Sequence, residues 1–192
     1  MESSPQAAGG YPASLSQPVV LANGVVVMIR PIRAEDAPLE VEFLEGLSGE
    51  SRYQRFLYEL DELTDEMLTE FTQIDYLREM ALIAVLELPH GPRQVGVARY
   101  SVAPDGHSCD FAIVVGDAWR GTGLAQELLG RLVRIARERG VRIIEGVSFA
   151  ENRRMQGLAR ALGFETLPDP EDRDLVRMRM ALQAERLDAG QC

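Results

Sequence analysis

The chain has 192 residues, the length of one domain with tails rather than two, and its 46% apolar content lets it bury roughly 70% of its unfolded surface without disulfides. No run approaches about 18 apolar residues, which excludes a transmembrane helix. Two cysteines (Cys109, Cys192) and two histidines (His90, His107) exclude a disulfide scaffold and a zinc site of ordinary spacing, and point to a reducing, cytoplasmic compartment. The net charge of −10 argues against nucleic acid or an anionic membrane as partner.

Residues 1–18 mix Ser, Gly, Pro and Gln without periodicity and read as a disordered lead-in, with neither the basic nor the apolar region of a secretory signal. Residues 19–29 are two β-rich runs around Asn23-Gly24, the mark of a two-residue hairpin loop. The acids and proline of Ala34-Glu35-Asp36-Ala37-Pro38 open a helix running to about Leu47. Residues 51–60 and 64–72 read as two further helices. An apolar run at 80–86 then begins a three-strand meander with strands at 94–103 and 108–115. Leu124, Leu128, Leu132, Ile135 and Ala136 recur at helical spacing in a helix from about Gly121 to Arg139, which Gly140 ends. A strand at 141–148, a helix at 151–162 and a strand at 174–182 follow, leaving a tail at 183–192. The order describes an α+β domain over 19–182: a mixed, mostly antiparallel sheet flanked by helices, with one βαβ crossover.

The most informative stretch is Val114-Val115-Gly116-Asp117-Ala118-Trp119-Arg120-Gly121-Thr122-Gly123-Leu124-Ala125. A buried strand ends, and two glycines open an amphipathic helix whose first amides have no intrahelical partner. Gly121 and Gly123 let an anion approach those amides closely, and Arg120 adds a charge, so the segment reads as a phosphate cradle. A Walker A loop is excluded because the chain has no lysine at all: its 20 basic residues are all arginine. A dinucleotide fingerprint needs a third glycine where Gln126 stands, although Glu145 could mimic its ribose-binding acid.

Arg120-Gly121-Thr122-Gly123-Leu124-Ala125 resembles the R/Q-x-x-G-x-G/A pyrophosphate motif of the GNAT superfamily of N-acetyltransferases, and Asn152-Arg153-Arg154-Met155 with Leu162-Gly163-Phe164 resembles its next helix. Three further segments are similar to the acetyltransferase domain of bacterial protein lysine acetyltransferases that modify acyl-CoA synthetases. They are Arg30-Pro31-Ile32-Arg33 with Glu35-Asp36, the stretch at 47–56, and that at 71–82. The resemblance implies acetyl-CoA as co-substrate, without metal, in an opening between the strands that end at Val115 and Ser148. It places the backbone of Val114 and Val115 on the pantetheine and thioester. Arg120, Gly121, Thr122, Gly123, Leu124, Ala125 and Gln126 lie at the diphosphate, and Asn152 at the pantetheine or the helix start.

A lysine amine has a free pKa near 10.4, so direct transfer at neutral pH needs a general base. Asp110, an acid within a strand and on the face of Ala112 and Val114, is the candidate; Glu145 is the reserve. Where many relatives place a tyrosine as general acid, this chain has Ala159, which suits a lysine-modifying enzyme. Cys109 reads as a buried bystander. The expected function is acetyl transfer to the ε-amine of a protein lysine, with an AMP-forming acyl-CoA synthetase as the expected acceptor. A small-amine acceptor, or a non-catalytic acyl-CoA sensor, remains open. Absence of lysine would also prevent self-acetylation on side chains, although a GC-rich genome is the favoured explanation.

Overall fold

A computed structural model describes residues 10–60 and 62–182. In chain order its elements are β1 (Gln17–Val20), β2 (Val26–Pro31), α1 (Ala37–Glu45), α2 (Gly49–Phe56), α3 (Asp65–Thr72), β3 (Glu79–Leu88), β4 (Gly91–Val102) and β5 (Ser108–Val115). Then come α4 (Leu124–Glu138), β6 (Ile143–Phe149), α5 (Arg153–Ala161), β7 (Glu165–Pro168) and β8 (Leu175–Ala181). The strands form one sheet in the order β1-β2-β3-β4-β5-β6-β8-β7. Every pairing is antiparallel except β5 with β6, which α4 connects as the expected βαβ crossover.

The apolar run of β3 lies at the centre of this sheet, buried on both faces. On one face lies α4, whose Leu124, Leu128, Leu132 and Ala136 are fully buried along a single stripe. Phe164, just after α5, packs its ring against Phe111 of β5 on the same side, 5.2 Å between centroids. Helices α1 to α3 cover the other face, where Arg99 of β4 donates to the Phe71 carbonyl of α3 at 2.6 Å. Thr64 caps α3 by accepting from the Met67 amide at 3.2 Å.

Five details depart from the sequence reading. Of the lead-in expected to be disordered through residue 18, residues 1–9 lie outside the described residues, and residues 10–18 are held in the fold. Tyr11 donates to the Pro31 carbonyl at 3.1 Å and packs edge-on against Tyr76, and β1 begins at Gln17. The hairpin loop has three residues, not two: Leu21 N–H pairs with the Val25 carbonyl, and Gly24 N–H closes a turn on Leu21. The helix expected over 34–47 is a short 3-10 turn (Ala34–Asp36) followed by α1, and α2 stops at Phe56 because Leu57 takes a left-handed φ of 65°. Strand β7 was not foreseen, since four mostly exposed residues carry no alternation. The C-terminal tail at 183–192 lies outside the described residues.

The segments at 30–36 and 75–82 hold the scaffold together. Asp36 receives both guanidinium nitrogens of Arg30 at 2.6 Å and the Arg33 amide at 2.8 Å. Tyr76 donates to the Ile32 carbonyl at 2.7 Å, tying the entry of β3 to the exit of β2.

Candidate active site

Strands β5 and β6 are in register from Ser108↔Ile143 to Asp110↔Glu145, and there their pairing ends, although both strands continue. Beyond that point the ring of Phe111 occupies the space a side chain at Gly146 would need: a Cβ there would lie 2.5 Å from Phe111 Cε1. The parting strands floor a cleft of about 1390 Å³. Strand alternation decides which backbone groups face it. Gly116 N–H donates to the Val95 carbonyl and Ala103 N–H to Ser108, so the even-numbered residues of β5 are turned toward β4. The free backbone groups in the gap are therefore those of Ile113 and Val115. This corrects the expectation for Val114, whose amide serves the β4 ladder although its side chain lines the cleft.

At the mouth, Gly121 and Gly123 adopt φ of +74° and +86°, conformations that only glycine takes cheaply, and Gly123 caps α4 without a side-chain acceptor. Among the described residues the amides of Gly123, Leu124, Ala125 and Gln126 find no acceptor, and all four residues line the cleft, as does Gly121. Thr122 does not join them. Its side chain is buried, its hydroxyl donates to the Trp119 carbonyl at 2.7 Å, and its own carbonyl accepts from Ala22. Its role is to anchor the loop.

Arg120 lines the cleft, but its charge is already engaged. The guanidinium lies 2.6 Å from Asp117 and donates to Ser51 at 2.6 Å. Asp117 in turn accepts from the Ser48 amide (3.0 Å) and from the hydroxyls of Ser48 (3.2 Å) and Ser51 (2.8 Å). Burial works against its charge, yet these donors and Arg120 hold the Asp117 carboxyl below its usual range. The latch thus fastens the first turn of α2 to the glycine loop.

Asn152 sits at the start of α5, accepts from the Met155 amide at 3.0 Å and donates to Gln54 of α2 at 3.3 Å. Asn152→Ala is expected to lower stability by about 1 kcal/mol, read as a drop in thermal midpoint. The two candidate bases are register neighbours where the pairing ends. Asp110 is exposed and lines the cleft, whereas Glu145 lies outside it, 3.3 Å from Arg179. Cys109 is buried; burial, with Asp110 and Glu145 close by, pushes its thiol up to about 12, so it holds no thiolate near neutral pH. Sequence reasoning missed Ile113 and the α2 wall formed by Ser51, Gln54 and Arg55, for which the only signal was the resemblance over 47–56.

A parallel pair that parts beside a helix start with free amides is the architecture of an N-acetyltransferase. Residues 27–165 match the Acetyltransferase (GNAT) domain family, and the chain belongs to that family of enzymes. It is 37% identical over 162 residues to acetyltransferase PA5475 of Pseudomonas aeruginosa, spanning 84% of this chain and 87% of that protein. The GNAT domain of S. lividans PAT superposes with a TM-score of 0.80 at 29% identity, covering 90% of this chain and 99% of that one. The protein yncA of Salmonella typhimurium, solved with acetyl-CoA, shares the fold at 21% identity, with a TM-score of 0.65 over 86% and 99% of the two chains.

Proposed function

We propose that the protein transfers acetyl from acetyl-CoA to the ε-amine of a protein lysine, with an AMP-forming acyl-CoA synthetase as acceptor. One observation carries the reading: free amides at the start of α4 and exposed Asp110 line the same cleft, where β5 leaves β6. The residues fit the co-substrate. The amides of Gly123, Leu124, Ala125 and Gln126 match a diphosphate, and the free backbone edge of Ile113 and Val115 matches the amides of a pantetheine arm. When bound, acetyl-CoA supplies an acetyl group activated as a thioester. Asp110 takes the proton that the incoming ammonium must lose, directly or through water. Ala159 offers no hydroxyl for the departing sulfur, and a thiol of pKa near 8.5 needs none to leave as the anion. Similarity to the S. lividans PAT domain favours a protein acceptor, and the free buried thiol of Cys109 accords with the cytoplasm.

The test is to incubate the protein with acetyl-CoA and an acyl-CoA synthetase and to map modified lysines by mass spectrometry. A single acetylated lysine at the synthetase active site is expected. Turnover with free amines alone would move the acceptor to small molecules, and tight binding without any turnover would leave a sensor. The Asp117 latch gives a second check. Asp117→Asn is expected to weaken acetyl-CoA binding about tenfold, worth roughly 1.4 kcal/mol, with kcat nearly unchanged; calorimetric titration reads it.

A further inference from the structure

On the face of the sheet covered by α1 to α3, a cation in the cleft wall has no ion pair among the described residues. Arg55 of α2 is half-buried and lines the cleft together with Asp110 and Ala112. Its charged neighbours are Arg99 and Glu40. Arg99, the register partner of Ala112 on β4, is itself satisfied: it donates to the Phe71 carbonyl and lies 4.7 Å over the Phe71 ring. Glu40 is buried, is held by the Gln94 side-chain amide, and is pushed up by its burial. Among the described residues Arg55 has no carboxylate close enough for an ion pair and no hydrogen-bond acceptor; it rests 4.9 Å over the ring of Phe56. Burial first, and Arg99 second, lower its pKa to about 10, which still leaves a full positive charge at neutral pH.

A guanidinium with five donors, partly removed from water and unpaired among the described residues, is poorly compensated unless a ligand brings the anion. The same sheet face carries Asp110, through the alternation Asp110, Ala112, Val114. Arg55 and Asp110 line the same cleft, so an acceptor that presents its amine to Asp110 can meet Arg55 with its neighbouring groups. We propose that Arg55 receives a carboxylate carried by the acceptor beside the reacting amine. This rests on the amine-acetylating reading above: in a protein acceptor the carboxylate is an acidic side chain flanking the target lysine, and in a small one it belongs to the amino acid itself. The planar, forked geometry of arginine suits a bidentate carboxylate, and a cation beside it instead would be repelled.

The experiment uses the full chain loaded with CoA and three capped pentapeptides in which a central lysine is flanked by Glu, Gln or Arg, with free glutamate as a fourth ligand. Equilibrium binding is read separately from acetylation with acetyl-CoA. The expected result is at least fivefold tighter binding of the Glu-flanked peptide than the Gln-flanked one. That preference should be kept in Arg55→Lys, lost in Arg55→Gln and reversed toward the Arg-flanked peptide in Arg55→Glu. Binding and acetylation of free glutamate in place of the peptides would support the role of Arg55 and overturn the protein acceptor. Equal affinities, absence of binding by all four ligands, or a preference that survives Arg55→Gln would overturn the proposal. Charge-dependent binding without acetylation would uphold the Arg55 site while removing the enzymatic reading.

Discussion

Asp110→Ala is expected to slow acetyl transfer by roughly 10²–10⁴-fold at neutral pH, the usual contribution of a positioned general base. Its affinity for acetyl-CoA should stay within a few-fold of the parent, because Asp110 stands at the closed end of the strand gap, away from the free amides of α4. The pH profile separates a base from a residue that merely shapes the cleft. Without Asp110 the reaction must wait for amine that has already lost its proton. The variant's rate should therefore climb about tenfold per pH unit toward the amine pKa near 10.4, while the parent's levels off sooner. Steady-state rates between pH 6.5 and 9.5 check this. A variant with parental rate, or with a profile parallel to the parent's, would remove Asp110 from proton transfer. Glu145→Gln serves as the internal control. Its carboxylate is 3.3 Å from Arg179 and outside the cleft, so a small effect on rate is expected.

Gly146→Ala should be costly for a different reason. The added methyl would lie 2.5 to 2.9 Å from three atoms of the Phe111 ring, which is buried and packed against Phe164. Overpacking of this kind costs about 1–3 kcal/mol, a fall in thermal midpoint of roughly 2–12 °C for a chain of this size. The double variant Gly146→Ala with Phe111→Leu should regain much of the loss, since both changes act on one shared space. Additive losses in the double variant would mean that the glycine is needed for something other than room for the ring.

The strongest sequence signals were the periodic ones. The apolar stripe of α4, the continuous run of β3 and the glycine pair before α4 are local patterns, and each formed the element they indicate. The parting of β5 from β6 was legible only through resemblance, because where a pairing stops depends on contacts between segments far apart in the sequence. Arg120 shows the same limit from the other side. Beside two glycines it reads as a free cation aimed at phosphate, but Asp117 and Ser51, the latter 66 residues from Asp117, claim it in space. Thr122 was misplaced because a loop sequence does not reveal which of its residues turns inward. The register of alternation was hidden too: sequence gave Val114 and Val115 equal standing, and only the hydrogen bond from Gly116 to Val95 shows which amide is spent on the sheet. Arg55 is one of 20 arginines, and nothing local marks it as the one set into a cleft wall.

The short ladder between Asp110 and Ser108 on one side and Glu145 and Ile143 on the other makes the sheet two ribbons, one of five strands and one of three. They are joined by a brief zipper and by the chain itself, which runs from β5 through α4 to β6. A molecule lying along the open edge of β5 would stand in for the missing rungs and become a temporary part of the architecture. On the proposed reading, bound acetyl-CoA would brace the two ribbons against each other, and release of CoA would free the seam for the next round.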